Sequence, residues 1–339
     1  MSTVGDLEYR AAGERLALFD QSARTRLVVS GRAPRQMLNG VLTGTLPAPP
    51  TELEGGVLGG TATYHAVLTP KGKMITDLWA FLTGDEEADG FLLDVPEAGS
   101  GPLLEHLGKV LPPRLARVED ATGRTGMLAV VGPEAAGALS RVAAGLRVEA
   151  EDLARLGEGA WRRVGPAGER GLCIERTHEV APEAYRVLGD SDGIRALRER
   201  LVEMGAVSAG ASTWATLRLE AGRPAFGVDM TADTIPIEAG IHDRAIDYRK
   251  GCYTGQEVIV RIRDRGHVNR HLRRLSLGDV PVPDPGTELL APDEGGRAVG
   301  WITSAARSPG TGEVVALAYV RRGVERVVLD GREIGVGVP

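Results

Sequence analysis

Apolar and polar positions along the chain change period several times, and each change marks an element. Leu27 to Val29 is a short apolar strand, Ser30-Gly31 a turn, and Met37, Leu38, Val41 and Leu42 fall at helical spacing in the stretch from Pro34 to Leu42. Tyr64 to Leu68 and Met74 to Leu82 flank Thr69-Pro70-Lys71-Gly72, whose proline and glycine suit the second and fourth positions of a type I turn, so the pattern predicts a hairpin. Phe91 to Val95 is a further strand. The helix expected around Leu103 to Val110 must stop at Pro112-Pro113. Met127 to Val131 followed by Gly132-Pro133-Glu134 reads as a strand entering a helix with proline near its first turn. Strands follow at Trp161 to Val164, Leu172 to Arg176 and Ala184 to Leu188. A helix then begins at the caps of Asp190-Ser191-Asp192, with Ile194, Leu197, Leu201 and Met204 as its apolar stripe. From Arg270 onward short β runs alternate with Gly, Pro and Asp turns, which predicts a small antiparallel barrel or sandwich. The fold class is therefore α+β, with strands and helices interspersed rather than strictly alternating.

The 339 residues fit two or three domains, and 42% hydrophobic with 25% charged residues excludes both a disordered chain and a membrane protein. Aromatic residues make up only 4%, so cores are aliphatic and an aromatic among polar neighbours becomes a candidate working surface. A net charge of −6 argues against nonspecific nucleic-acid binding by the whole molecule. Met1 to Arg10 lacks an apolar signal region, and no apolar stretch reaches spanning length, so the expected address is cytoplasmic with no membrane partner. Cys173 and Cys252 stand far apart, outside any disulfide or cysteine–zinc pattern, and no metal site is expected. Gly72-Lys73 lacks the P-loop's first glycine, His178-Glu179 lacks the second histidine of a zincin, and the serine-hydrolase elbow is absent.

Two segments concentrate chemistry. Arg249 to Glu257 sets Lys250, Cys252, Tyr253, Gln256 and Glu257 among glycines, including Gly255, which lets polar side chains converge on one ligand. A helix beginning after Gly255 would favour the Cys252 thiolate, whereas the alternation of Val258, Val260 and Ile262 reads equally as a strand, with Cys252 a small buried hydrophobe. From Arg249 to Arg274 eight basic residues, among them Arg261, stand against Glu257 and Asp264. That stretch is either a surface for a polyanion such as RNA or a solvated face. In the second segment, Trp214 offers a flat platform and Glu220 a carboxylate for the paired N–H donors of a pterin-like ring; a core Trp214 and a surface Glu220 are the alternative.

Lys250-Gly251-Cys252-Tyr253-Thr254-Gly255-Gln256-Glu257, with Arg261, Arg265-Gly266, Arg270 and Leu272, resembles the signature of YgfZ-type folate-binding proteins, relatives of the aminomethyltransferase (T-protein) of the glycine cleavage system. Gly31 to Thr43, Leu68 to Lys73, Met127 to Leu139 and Trp214 to Pro224 resemble other family segments, so the likeness spans nearly the whole chain. It implies three subdomains around a central hole that binds tetrahydrofolate. Residues 1–269 would form the folate-binding region, one subdomain covering roughly 126–205, and 270–339 a C-terminal β-barrel. The implied role is a monomeric accessory protein that binds tetrahydrofolate and supports iron–sulfur cluster assembly or repair in client enzymes, including tRNA-modifying ones. The alternatives are a folate-dependent aminomethyltransferase or related one-carbon transferase, and an RNA-binding protein using Arg261 to Arg274.

By the same resemblance Trp214 contacts the folate, Lys250 and Cys252 form the functional motif, and Tyr253, Gly255, Gln256, Glu257 and Arg261 shape it. Aminomethyltransferases carry Gly-Glu-Asp-Gly-Tyr where this chain has Ala181-Pro182-Glu183-Ala184-Tyr185, which leaves Glu183 and Tyr185 as pterin-side residues. Asp94 stands where the family carries a polar residue at a strand's end and is the candidate for one-carbon chemistry.

Overall fold

A computed structural model describes residues 4–82, 90–142, 148–165, 171–180, 183–292 and 296–337. Among them the strands form three sheets of eight, six and five. The five-stranded sheet is antiparallel and runs Thr63–Leu68, Met74–Leu82, Phe91–Val95, Thr25–Ser30, Arg117–Asp120. Its first two strands are the expected hairpin, closed by Gly72 N–H donating to the Thr69 carbonyl at 2.9 Å. The eight-stranded sheet has Thr125–Val131, Ala184–Asp190, Leu172–Thr177 and Ala160–Val164 side by side at its centre.

Strand alternation decides what each face meets. Along Met74–Leu82, residues Leu78, Ala80 and Leu82 enter an aliphatic core under the helices Pro34–Asn39 and Glu97–Val110. Trp79 and Phe81 point the other way, into a core shared with Trp161, Cys173 and Leu188 of the eight-stranded sheet. On that sheet's far side, Ile194, Leu197 and Leu201 of the Ser191–Glu203 helix pack with Leu128 and Val130. The cap is as expected, with Asp190 Oδ1 accepting from Gly193 N–H at 2.9 Å. The third sheet, from Arg270–Gly278 to Arg332–Gly335, is antiparallel, and its first and last strands approach each other as it curls. No helix among the described residues is long and apolar enough to cross a membrane.

Between Gly255 and Gly266 the chain is helical, over Gln256–Arg265, and only Ile259 of that helix is fully buried. The alternation of Val258, Val260 and Ile262 is thus not the trace of a strand. Gly255 decides the matter: its φ of +86° turns the chain into the helix, and a Cβ there would lie 2.6 Å from the Thr69 carbonyl oxygen.

Arg26, in the five-stranded sheet, is fully buried and its guanidinium donates to Thr125 Oγ1 at 2.7 Å and to the carbonyls of Arg24, Ser22, Thr122 and Thr125 at 2.6 to 3.1 Å. One side chain therefore satisfies the turn between two sheets. Arg26→Leu removes the donor from those half-buried acceptors, and chemical denaturation should show a loss of about 3 kcal/mol; a loss under about 0.5 kcal/mol would contradict the assignment.

Candidate functional site

Tyr64 and Trp79 are cross-strand partners in the hairpin, with ring centroids 5.3 Å apart and planes tilted by 43°. Asp77 lies two residues before Trp79 and so shares its face. The Tyr64 hydroxyl donates to Asp77 Oδ2 at 2.6 Å, and Asp77 Oδ1 has no hydrogen-bond partner among the described residues. Burial pushes the Asp77 carboxyl above its usual range, although the Tyr64 hydroxyl and Arg24 oppose the shift. Trp79 is fixed through its ring nitrogen, which donates to Glu179 Oε1 at 3.1 Å.

Behind Trp79 stands a buried ionic cluster. Arg186 Nε and Nη2 each donate to Glu175 at 2.8 Å, Nη1 donates to Asp94 Oδ2 at 3.0 Å, and the guanidinium carbon sits 4.9 Å from the Trp79 ring centre. Arg24 Nε reaches both oxygens of Asp94 at 2.8 and 3.0 Å. Three carboxylates, Asp94, Glu175 and Glu179, thus share two guanidinium groups. Burial pushes Glu175 up to about 7; Arg186 opposes that shift, and Glu179 and Asp94 add to it.

In front of Trp79 a cavity of about 420 Å³ opens, lined by Tyr64, Trp79, Glu158, Arg244, Asp247, Arg249, Gly44 and Thr45 among others. That volume is of the size small-molecule sites have, about 300–1,000 Å³. Arg244 lies over Tyr64 with its guanidinium carbon 4.8 Å from the ring centre, and it is ion-paired with Glu158. Glu158 owes its place to Gly159, whose φ is +78° and where a Cβ would lie 2.4 Å from the Ala62 carbonyl oxygen and 3.1 Å from the Trp79 ring.

The Arg249 to Glu257 segment supports this cavity from outside. Lys250 Nζ donates to the carbonyls of Leu42 at 2.7 Å and Gly44 at 2.9 Å, and burial lowers its pKa to about 8. Thr254 N–H donates to the Gly40 carbonyl at 3.1 Å, and Thr45 Oγ1 donates to Asp247. Tyr253 is buried, its hydroxyl is without a partner among the described residues, and burial pushes it up to about 12. Cys252 is exposed, so it is not a small buried hydrophobe. Gln256 and Glu257 open the helix, and Glu257 and Arg261 face solvent. None of Lys250, Cys252, Tyr253, Gly255, Gln256, Glu257 and Arg261 lines the cavity, whereas their neighbours Asp247 and Arg249 do.

Other expected residues lie elsewhere. Trp214 is half-buried and packs edge-on against Phe19 at 5.2 Å. Both oxygens of Glu220 accept from Tyr9 OH, at 3.0 and 3.1 Å. Their helix, Ala211–Glu220, is a strut between the N-terminal helix and the third sheet: Thr213 Oγ1 donates to Glu8 at 2.6 Å, while Leu219 packs on Val315 and Leu317. The platform and the carboxylate expected of Trp214 and Glu220 are therefore not at this cavity. Tyr185 OH donates to Glu183 at 2.8 Å and accepts from Arg176 Nη1 at 2.9 Å, so Tyr185 and Glu183 are engaged with each other and with Arg176. Ala181 and Pro182 lie outside the described residues. Asp94 is fully buried and held by two arginines, which leaves it no open proton-accepting face.

Sequence reasoning passes over Tyr64, Asp77, Trp79, Glu158, Arg186 and Arg244. One signal was present, an aspartate inside the otherwise apolar run Met74 to Leu82.

Two family models match in succession: the GCVT N-terminal domain over residues 1–250, and the glycine cleavage T-protein C-terminal barrel domain over residues 270–338. The aminomethyltransferase of Corynebacterium jeikeium is 28% identical over 333 residues, covering 93% of this chain and 81% of that protein. That of Rubrobacter xylanophilus is 29% identical over 314 residues, covering 92% and 78%. The crystal structure of the glycine cleavage system aminomethyltransferase T from Bartonella henselae has the same fold, with a TM-score of 0.78 at 22% identity over 98% of this chain and 88% of that one. Proteins of this family bind tetrahydrofolate as substrate or cofactor. The fold, the two consecutive matches and the near full-length relatives agree: this chain belongs to the glycine cleavage T-protein, or aminomethyltransferase, family.

Proposed function

We propose that this chain binds tetrahydrofolate in the Tyr64–Trp79 cavity and acts as a folate-dependent one-carbon transferase of the aminomethyltransferase type. The observation that carries this reading is an aromatic cavity wall, Tyr64 and Trp79, whose Tyr64 hydroxyl is bonded to the buried carboxylate of Asp77; Asp77 itself does not line the cavity. The residues fit the ligand: Tyr64 and Trp79 line the cavity with aromatic rings that suit a bicyclic ring, and Asp77, bonded to the Tyr64 hydroxyl, keeps a buried acceptor oxygen without a partner among the described residues. When bound, tetrahydrofolate supplies the nitrogens that carry the one-carbon unit.

The chain's own residues then have separable tasks. Tyr64 and Trp79 bind and orient the ring. Asp77, tethered through Oδ2 by the Tyr64 hydroxyl, accepts a proton at Oδ1. Its raised pKa makes it a stronger base than an exposed aspartate, and it works only while ionised. Activity therefore falls on acidification through a pKa above the usual aspartate range. Asp94 keeps Arg24 and Arg186 in place and does not turn over.

A second reading rests on Cys252, which is exposed within the Lys250 to Glu257 segment: a YgfZ-type accessory protein that uses bound folate in support of iron–sulfur enzymes, including tRNA-modifying ones. In cells lacking this protein, restoration of iron–sulfur enzyme activity by the natural chain but not by Cys252→Ser would support it. Equal restoration by both would remove it.

Tetrahydrofolate should quench tryptophan emission in the natural chain and in Trp214→Phe alike, but not in Trp79→Phe. Quenching lost only in Trp214→Phe would move the site to that helix. Asp77→Asn should lower transfer by about 10²–10⁴-fold while leaving folate affinity within about 3-fold. Asp94→Asn, by contrast, should show itself first as a lowered unfolding midpoint. Full transfer activity in Asp77→Asn would contradict the role given to that carboxyl.

A further inference from the structure

The guanidinium carbon of Arg244 lies over Tyr64, 4.8 Å from the ring centre and 6.0 Å from that of Trp79. At its edge Nη2 donates to Glu158 Oε1, and Nε donates to Oε2 at 3.3 Å. A planar group that turns two N–H donors toward one carboxylate thus lies over the cavity's aromatic wall. The 2-amino-4-oxopyrimidine half of a pteridine is also planar and presents the same pair, its ring N3–H and an exocyclic N–H.

We infer that Glu158 is the carboxylate that reads this amidine edge, and that Arg244 is its placeholder, displaced when the ring stacks on Tyr64. This rests on the folate reading above. Both side chains are accessible, at 22% for Arg244 and 23% for Glu158, so the exchange needs no opening of the core. The backbone that carries Glu158 is fixed, because Gly159 lies close against Trp79 and Ala62 N–H donates to the Gly159 carbonyl at 2.7 Å. The other carboxylates lining the cavity are less suited. Asp247 accepts from Thr45 Oγ1 and from Arg249 N–H, and Asp243 is 86% exposed beside His242. The arrangement also explains a charged pair at an aromatic wall: Arg244 neutralises Glu158 while the ring is absent, and the ligand's N–H pair satisfies it afterwards.

Calorimetric titration of the full chain with tetrahydrofolate and with its analogue carrying a 2-methyl in place of the 2-amino group tests the assignment. The natural chain should prefer tetrahydrofolate by about 10- to 100-fold. Glu158→Gln and Glu158→Ala, checked by unfolding curves for an intact fold, should lose affinity by a similar factor and lose the preference with it. Arg244→Ala should bind tetrahydrofolate several-fold more tightly. If the natural chain binds tetrahydrofolate and the Glu158 variants keep both affinity and preference, the assignment fails while the folate reading stands. If the natural chain binds neither compound, both fail. Binding weakened more than about 10-fold by Arg244→Ala would make that residue a ligand contact and overturn its role as placeholder.

Discussion

The eight-stranded and five-stranded sheets do not meet through an apolar seam alone; they meet on a buried guanidinium. Arg186 leaves the central strand Ala184–Asp190 of one sheet and reaches Asp94 in the other, while Glu175 on the adjacent strand holds it from the side. An isolated charge at this depth would cost several kcal/mol, so the carboxylates are obligatory partners, and removing one exposes the full penalty of the rest. Trp79 is seated on this cluster by a cation–π contact and by its bond to Glu179. The position of the cavity wall follows from a charge balance made in the core.

That balance also assigns the carboxylates. Asp94 and Glu175 are committed to arginines, and Glu183 to Arg176 and Tyr185. Asp77 has a hydroxyl on one oxygen and no partner among the described residues on the other, and it faces the aromatic wall. The dense polar motif from Lys250 to Glu257 works one layer out. Through Lys250, Thr254 and Gly255 it fastens the 40–45 loop and the hairpin turn, and so holds Gly44 and Thr45 at the cavity rim.

Local signals in the sequence led to local structure. The hairpin around Thr69 to Gly72, the Asp190 cap and the late β region follow from turn chemistry and periodicity, which act over a few residues. The helix at Gln256–Arg265 was ambiguous because apolar residues at positions 258, 260 and 262 alternate, although only Ile259 is fully buried. The tryptophan that lines the cavity is Trp79, whereas the one that stands out in the sequence is Trp214. Trp214 has polar neighbours in sequence, yet Thr213, Arg218 and Glu220 serve Glu8, Asp229 and Tyr9 in holding a strut. Trp79 sits in an apolar strand and reads as core; its polar surroundings come from Glu158, Glu179, Arg186 and Arg244, all far along the chain. Juxtaposition of that kind is set by sheet topology, which periodicity does not encode.

The central claim is that the ligand site lies at Tyr64 and Trp79 rather than on the Trp214 helix. Amide hydrogen exchange of the full chain with and without tetrahydrofolate measures this without mutation. Slowed exchange is predicted over residues 43–45, 62–64, 157–160 and 243–249, the backbone around the cavity. Slowing confined to residues 211–220, or none at saturating tetrahydrofolate, would contradict the account.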